Sequence, residues 1–327
     1  MAGIDIVCLG EVLVDMFPAE SGRRLADVSA FRPMPGGAPA NVAVAARRLG
    51  VSSAFVGKVG DDAFGRMLID RLRAEGVDTR GVRVDEAART TMAFIAMPAP
   101  QSAEFVFYRN PGADMRLRSD ELDEELIATA EGFHFGSISL IAEPSRSATL
   151  RAVELARAGG ALISFDVNYR PSLWPGEEAF VAAVYDALSL AHLVKVNLAE
   201  MVLLTGTTNL IAGSEALCQA GPQAAVVTLD AAGSWFRAGR ATGLVPAFNV
   251  RALDCTGCGD GFMAGVLSRL VRGRSAERQR LSAGHLREAA LYGNAVGALT
   301  ATRRGAMPAL PTDAEVDQLL IDKQSKK

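Results

Sequence analysis

The alternation of strand-like and helix-like segments between residues 120 and 229 limits the possible folds more than any other feature of the chain. Short apolar segments occur at 133–138, 162–168, 193–197 and 224–229, and helical patterns occur at 120–130, 145–158 and 177–191. Repeated βα units of this length are typical of a parallel sheet covered by helices. The sequence therefore predicts an α/β fold with a doubly wound, mainly parallel sheet and helices on both faces.

The start of the chain fits the same sheet. Residues 4–9 are nearly all apolar and end at Gly10, which is typical of a strand buried on both faces. Residues 12–33 and 90–113 contain further strand patterns, including a hairpin with a long connection, and these could form a small separate sheet. With 327 residues, we expect a single α/β domain over 1–327 with this small sheet inserted in it.

Composition excludes several classes of partner. The net charge is −3 without a basic stripe, so we expect no nucleic acid. No apolar run reaches the ~18 residues that span a bilayer, and the first residues lack the basic region of a signal peptide, so we expect no membrane. The four cysteines are too few for a disulfide framework, which indicates a reducing cytoplasm; they are Cys8, Cys218, Cys255 and Cys258.

A glycine-rich stretch at 254–262 is the strongest candidate for chemistry. Gly257, Gly259 and Gly261 precede or begin a predicted helix over 262–270, and backbone N–H groups at a helix start can hold an anion. Asp260 lies among them. A carboxylate repels phosphate unless it accepts a proton from the group that attacks the phosphate, which is the general-base role in phosphoryl transfer. The alternative is a glycine-rich turn whose aspartate caps the helix.

This stretch resembles the Asp-Thr-x-Gly-Ala-Gly-Asp motif of the ribokinase-like (PfkB) sugar kinases, with Cys255 in place of the usual Thr and Cys258 in place of the usual Ala. Further matches follow in order from Gly10 to Pro311. The resemblance implies that Asp260 is the catalytic base. It also implies that the N–H groups of Gly257, Cys258 and Gly259 form the anion hole.

The resemblance also implies a sugar side. Asp15 lies just past the first strand, where open α/β sheets bind ligands, and the segment 35–50 is similar to the family's first motif. In the family the small sheet is a lid over the sugar and is often shared in a dimer, so a homodimer through the lid is expected. Tyr108 and Arg109 end the hairpin and either are ordinary edge residues or reach the substrate. The implied substrate-binding residues are Asp15, Gly36, Gly37, Asn41, Tyr108, Arg109, Asn168 and Arg170.

Polar residues at successive strand ends form the implied nucleotide side. Residues 197–200 resemble the family's Asn-x-x-Glu motif, and the turn after Thr228 has Asp230 where glycine is usual. Glu200 is implied to influence Mg²⁺ through water, and Asp254 and Thr256 match positions that some members use for a monovalent cation such as K⁺. The implied nucleotide-binding residues are Lys195, Asn197, Thr228, Gly233, Gly257, Gly259 and Asn294.

The implied activity is transfer of the γ-phosphate of ATP to a sugar hydroxymethyl group. Residues 133–137, 143–146 and 303–311 look most like fructokinases, which favours fructose and the product fructose 6-phosphate. A 2-keto-3-deoxygluconate kinase or a ribokinase on the same fold is the alternative, and a non-catalytic sugar or nucleotide sensor is the alternative of a different class.

Other enzyme classes lack their motifs. A nicotinamide enzyme needs Gly-x-Gly-x-x-Gly after a strand, but the third position after Gly257 and Gly259 is Phe262. A Walker ATPase needs Gly-Lys-Ser/Thr, but Gly57-Lys58 is followed by valine. The spacing of Cys255 and Cys258 could indicate a thiol redox or zinc site, although no second pair accompanies it.

Overall fold

The computed structural model describes residues 3–20, 22–99, 102–271 and 281–324. Within these ranges the strands fall into two sheets, one of nine strands and one of four. The strands are β1 (Ile6–Leu9), β2 (Leu13–Pro18), β3 (Phe31–Gly36), β4 (Ser53–Gly60), β5 (Asp78–Asp85), β6 (Met92–Ala99), β7 (Ser102–Tyr108), β8 (Gly132–Gly136), β9 (Leu162–Asp166), β10 (Leu193–Asn197), β11 (Ala224–Thr228), β12 (Ser234–Ala238) and β13 (Ala241–Val245).

The nine-stranded sheet has the order β13-β12-β11-β10-β9-β8-β1-β4-β5. Its strands from β11 to β5 pair in parallel, and β12 and β13 add an antiparallel edge. The order reverses at β1, which lies between β4 and β8. Open parallel sheets bind ligands outside the carboxyl ends of their strands at such a reversal.

The helices cover both faces of this sheet. They are α1 (Ala38–Arg48), α2 (Ala63–Ala74), α3 (Glu124–Ala128), α4 (Ser145–Ala158), α5 (Glu177–Leu188), α6 (Leu198–Thr205), α7 (Leu210–Gln219), α8 (Cys258–Val271), α9 (Ala283–Ala301) and α10 (Asp313–Gln324). Strand β1 shows why two layers form: Ile6 and Cys8 pack in one core with α1, α8 and α9, whereas Val7 and Leu9 pack in another with α4 and α5. The predicted doubly wound fold is confirmed.

One predicted helix is shorter than expected. The pattern over 120–130 contains α3 alone, after a turn of 3₁₀ helix at 119–121. The side chain of Asp123 caps α3 by accepting a hydrogen bond from the N–H of Leu126. The helix therefore begins later in the chain than predicted.

The four-stranded sheet has the order β3-β2-β6-β7 and comes from the two segments that the sequence marks as a separate sheet. Strands β6 and β7 form the expected antiparallel hairpin, and residues 100 and 101 of its connection lie outside the described residues. Strand β3 leads directly into α1 through Gly37, so the small sheet joins the main fold beside β1. Among the described helices, none has the length and apolar content needed to cross a membrane.

Candidate active site

Asp15 and Gly36 lie against each other on neighbouring strands of the small sheet. Asp15 on β2 is buried, and a Cβ atom at Gly36 would lie 2.1 Å from its Oδ2. Burial and the nearby Asp260 carboxylate raise the pKa of Asp15 to about 7, whereas Arg170 lowers it. The glycine therefore leaves the room that the carboxylate needs.

The next glycine makes the turn from the small sheet into α1. Gly37 has a φ of 103°, and a side chain there would lie 2.4 Å from the carbonyl oxygen of Glu11. Glycine adopts such a backbone conformation without steric cost. The turn directs the first residues of α1 toward α8.

Asn41 connects the predicted sugar side with the glycine-rich stretch. Its Nδ2 donates a hydrogen bond of 2.7 Å to Oδ2 of Asp260, although the two residues are 219 positions apart. Its Oδ1 is buried and has no partner among the described residues. A buried polar atom without a partner costs free energy unless a ligand or water binds it. The first turn of α1 therefore presents an unfilled acceptor beside Asp260.

Asp260 lies in the first turn of α8 and is partly exposed. Desolvation and the Asp166 carboxylate raise its pKa to about 6, whereas the Asn41 hydrogen bond, Lys195 and Arg170 lower it. At neutral pH the group is ionised, yet its pKa is close enough to neutrality for proton transfer in either direction. This combination suits a general base.

The loop before α8 is held by Asp254. Its Oδ1 accepts from the N–H and hydroxyl of Thr256, and its Oδ2 accepts from the N–H of Gly305 at 2.8 Å. Gly257 has a φ of 78°. The N–H of Cys258 donates to the carbonyl of Cys255 at 3.2 Å, so this member of the expected anion hole has a partner within the loop. No acceptor for the N–H groups of Gly257 and Gly259 occurs among the described residues.

Lys195 carries positive charge to the same place. Strands β9 and β10 pair with Lys195 opposite Asp166, and Nζ lies 3.0 Å from both carboxylate oxygens. The Nζ atom is also 2.9 Å from the position of a Cβ at Gly259, so the ammonium group lies directly beside the loop. Burial lowers the pKa of Lys195, but Asp166, Glu200 and Asp260 reverse this and raise it overall. The lysine is therefore a cation next to Gly259.

Asn197 and Glu200 form a reciprocal cap at the start of α6. Asn197 Oδ1 accepts from the N–H of Glu200, and Glu200 Oε2 accepts from the N–H of Asn197, both at 2.8 Å. Glu200 Oε1 accepts from the N–H of Tyr169 at 2.8 Å. The carboxylate thus connects the end of β9 with the start of α6, and both oxygens already hold backbone donors.

The segment after β9 contains a strained residue at the predicted site. Asn168 is buried and has a φ of 42°. Residues outside glycine adopt this region rarely, and such residues cluster at ligand sites. Arg170 follows it, donates to the carbonyl of Tyr169 and lowers the pKa of both Asp15 and Asp260. Its guanidinium therefore favours the ionised form of both carboxylates.

The remaining residues predicted for the nucleotide side lie around the end of β11. Thr228 ends this strand, Asp230 has a φ of 49°, and Gly233 has a φ of 103°. The left-handed backbone at Asp230 explains why glycine suits this position in the family motif. Asn294 on α9 donates from Nδ2 to the carbonyl of Val245 at 2.9 Å, which ties α9 to β13.

The two predicted lid residues lie in different environments. Tyr108 is 62% exposed, whereas Arg109 is buried and pairs with Asp114, with 2.7 Å between Nη2 and Oδ2. Arg109 also lines a cavity of about 290 Å³ between β7 and residues 171–173, which none of the other predicted site residues lines. The structure thus brings the glycine-rich stretch, α1, β2 and the strand ends together, but it leaves Tyr108 at the surface.

Two buried acidic residues also lie in this region, and neither has a role assigned from the sequence. Asp166 appears in the sequence only as a strand-end residue, and the sheet register makes it the partner of Lys195. Glu11 is buried, its Oε1 accepts from the N–H of Ala38 at 2.9 Å, and its Oε2 has no partner among the described residues. Burial raises its pKa to about 7. Its position directly after Gly10 at the end of β1 is the one signal that the sequence contains.

A partly buried carboxylate at a glycine-rich helix start, on a ribokinase-like sheet with a small second sheet beside it, defines the class of protein as a carbohydrate kinase. The comparisons then give the family. The model described as "pfkB family carbohydrate kinase" matches residues 4–313, and the chain belongs to this family.

Similar proteins include Fructokinase-1 of Zea mays, which is 46% identical over 316 residues covering 96% of this chain and 97% of that protein. Fructokinase-1 of Oryza sativa subsp. japonica is also 46% identical, with the same coverage. Among solved structures, fructokinase with bound ATP from Xylella fastidiosa is 34% identical with a TM-score of 0.88, covering 98% of this chain and 99% of that one. A fructokinase double mutant from Vibrio cholerae O395, with fructose, ADP and potassium ion bound, is 33% identical with a TM-score of 0.87, covering 97% and 98%.

Proposed function

We propose that the protein transfers the γ-phosphate of ATP to a hydroxymethyl group of fructose, giving fructose 6-phosphate. The observation that carries the proposal is the position of Asp260, which Asn41 holds at the start of α8 between the sugar-side Asp15 and the cation Lys195. Fructose is the sugar named for the relatives, and ATP, ADP and fructose are bound in the solved structures that resemble this chain.

In this reaction Asp260 accepts the proton of the attacking hydroxyl group. The pKa of about 6 keeps the carboxylate ionised at neutral pH, and its hydrogen bond to Asn41 leaves Oδ1 for the sugar. Asp15 and the free Oδ1 of Asn41 accept hydrogen bonds from other sugar hydroxyl groups. The oxygen that attacks is thereby oriented as well as deprotonated.

Other groups, N–H donors and cations, stabilise the negative charge on the transferring phosphoryl group. The N–H groups of Gly257 and Gly259 are free to donate, and the ammonium group of Lys195 lies beside Gly259. Arg170 adds a second cation, which lowers the pKa of Asp260. Donors fixed in this way stabilise the charge that develops in phosphoryl transfer without reorganising during the reaction.

The described residues fit Mg²⁺ only as an ion carried by the nucleotide. They contain no group of three or more histidine, cysteine or acidic side chains that could hold a metal. Glu200 uses both oxygens for backbone donors, so it would hold the ion through water. Mg²⁺ commonly keeps several waters and binds to phosphates with one or two carboxylates. When bound, it would neutralise charge on the phosphates.

A monovalent cation such as K⁺ is proposed near Asp254 and Thr256. The carboxylate of Asp254 already joins Thr256 to Gly305, so it orders the loop that surrounds the expected site. We further propose that the protein acts in the cytoplasm, since its four cysteines do not suit an oxidising compartment.

The test is an assay of ADP release with ATP, Mg²⁺ and a panel of fructose, ribose, 2-keto-3-deoxygluconate and nucleosides, with and without K⁺. We expect the highest kcat/KM for fructose. A keto acid needs a cation for its carboxylate; Arg109 is already paired with Asp114, which leaves Arg170 for that role. A preference for 2-keto-3-deoxygluconate would contradict the proposed sugar.

The Asp260→Asn variant tests the proposed base. We expect kcat to fall by about 10²–10⁴-fold, because the amide still accepts the Asn41 hydrogen bond but cannot take the proton. Binding of fructose, measured by calorimetry, shows that the site remains formed. Turnover close to that of the wild type would refute the role of Asp260, and binding without turnover in the wild-type protein would favour a sensor.

A further inference from the structure

The side chains of Cys255 and Cys258 take no part in the proposed reaction, yet they lie together in its loop. Cys255 is exposed, and Cys258 is the partly buried first residue of α8. The thiol of Cys258 donates to the carbonyl oxygen of Asp254 at 4.0 Å, and each of the two thiols affects the pKa of the other. The other two cysteines lie elsewhere: Cys8 is buried in β1, and Cys218 is in α7.

The backbone turn between the two cysteines is compatible with a disulfide. The N–H of Cys258 donates to the carbonyl of Cys255 at 3.2 Å, which closes a four-residue turn. The Cα atoms at the ends of such a turn are less than ~7 Å apart. Disulfides join Cα atoms that are ~4.4–6.8 Å apart, so the bond can form with a small movement of the loop.

A metal site is a poorer interpretation of the pair. The part of the chain that the structure describes contains no cluster of three or more metal-binding side chains around them. Structural zinc needs four ligands, commonly from two such pairs or from a pair and two histidines.

We propose that Cys255 and Cys258 are a modification site at which a hydroperoxide forms an intrachain disulfide, and that this bond switches off phosphoryl transfer. The exposed Cys255 sulfur attacks one peroxide oxygen, which gives a sulfenic acid and releases water or an alcohol. The Cys258 sulfur then displaces the hydroxyl group, which leaves as a second water. Two thiols are oxidised, the peroxide is reduced, and a dithiol such as dithiothreitol reverses the change.

Burial and nearby acidic groups make this oxidation slow at neutral pH. Burial raises the pKa of both thiols, and Asp254 raises it further; Asp230 adds to the effect at Cys255 and Asp260 adds to it at Cys258. The thiolate is the reactive form. The rate of disulfide formation should therefore rise with pH throughout the neutral range.

The disulfide would act on the reaction through the backbone of the loop. Gly257 lies between the two cysteines, Gly259 follows them, and Asp260 is two residues beyond Cys258. Drawing Cys255 toward Cys258 changes the direction of the free N–H groups and the start of α8. A displacement of about 1 Å at a reacting group can cost ~10²-fold in rate, so we expect kcat/KM to fall by at least about tenfold.

The experiment treats the purified full chain with hydrogen peroxide and follows both mass and activity. Arg251 and Arg269 bound a tryptic peptide, 252–269, that contains both cysteines and neither of the others. We expect this peptide to lose two hydrogen atoms, and activity to fall in parallel and return with dithiothreitol. Cys255→Thr, which restores the residue usual in the motif, should be active and resistant, whereas the control Cys218→Ser should respond like the wild type.

Three results would overturn the proposal. The first is oxidation that leaves peptide 252–269 without the loss of two hydrogens. The second is a disulfide that leaves activity unchanged, and the third is a Cys255→Thr variant that is inactivated as fast as the wild type. The activity measurement rests on the proposed kinase function, but the peptide mass does not. A reduced protein that phosphorylates no sugar would refute that function while the disulfide remained measurable.

Discussion

At the scale of single residues, the site depends on positions where a side chain is excluded. Gly36 leaves space for Asp15, since a Cβ atom would lie 2.1 Å from the carboxylate, and Gly37 leaves space for the carbonyl of Glu11. Both glycines lie where the small sheet meets α1. Glycine is needed at these positions because a side chain does not fit, so substitution by alanine, the smallest side chain, tests this need.

The Gly36→Ala variant should displace the Asp15 carboxylate. We expect KM for the sugar to rise by about 10–100-fold, because a hydrogen-bonding group moves from its position, while KM for ATP stays within about twofold. Gly176→Ala is the matched control, since no heavy atom lies near that position and its backbone is extended. Equal effects of the two substitutions on the sugar KM would contradict the steric role of Gly36.

The ionisation of Asp260 should determine the acid limb of the pH profile. Its pKa is raised to about 6, and the base must be ionised, so kcat/KM should fall as the pH falls through this value. Asp166 raises this pKa and Lys195 lowers it. The limb should therefore move to lower pH in Asp166→Asn and to higher pH in Lys195→Met. Shifts in the same direction, or none, would show that another group limits the rate.

At the scale of elements, helix starts supply the predicted nucleotide side. Helix α6 begins with the reciprocal cap of Asn197 and Glu200, and α8 begins with the glycine-rich loop. A helix start offers N–H groups and partial positive charge to an anion. The cap of α6 also holds Tyr169, so one carboxylate orders two elements beside the site.

Two asparagine helix caps allow an effect on stability to be distinguished from an effect on nucleotide binding. Asn197 caps α6 at the site, and Asn209 caps the exposed start of α7. Replacing either by alanine should lower the free energy of unfolding by about 1 kcal/mol. Only Asn197→Ala should also raise KM for ATP, by about tenfold or more, because the N–H of Glu200 then loses its acceptor and the start of α6 beside the site is less ordered. Urea titration and steady-state kinetics measure the two effects, and a similar KM change in both variants would argue against a nucleotide role for Asn197.

At the scale of the whole molecule, the small sheet has an open edge. Strand β7 is the last strand of this sheet, and Val106 and Tyr108 on it are 44% and 62% exposed. Exposed apolar side chains on an edge strand favour association with another sheet. A second copy of the chain is the partner that the family resemblance implies.

Val106→Glu tests this association. If two copies pair through β7, burial of an unpaired carboxylate should weaken the dimer by at least about tenfold in Kd. Sedimentation at several concentrations measures the change, and Glu178→Gln on the exposed start of α5 serves as a control. A wild-type protein that sediments as a monomer at all concentrations would exclude the dimer.

Local patterns in the sequence were sufficient for the family, the fold class and most element positions. The order of βα units, the apolar segment before Gly10 and the glycine-rich stretch at 254–262 each depend on residues close together in the chain. Spacing of that kind determines whether a segment is a strand, a turn or a helix start. It also placed Asp260 beside the free amides of Gly257 and Gly259, and the assignment of Asp260 as the base stays a prediction.

The tertiary structure decided which distant residues meet. The hydrogen bond from Asn41 to Asp260, the pairing of Lys195 with Asp166 beside Gly259 and the ion pair of Arg109 with Asp114 follow from sheet register and helix packing. A sequence gives no direct measure of these distances, because each depends on how whole elements pack. The chain by itself therefore determined its fold and its reactive loop, whereas packing determined the charges and hydrogen bonds around Asp260.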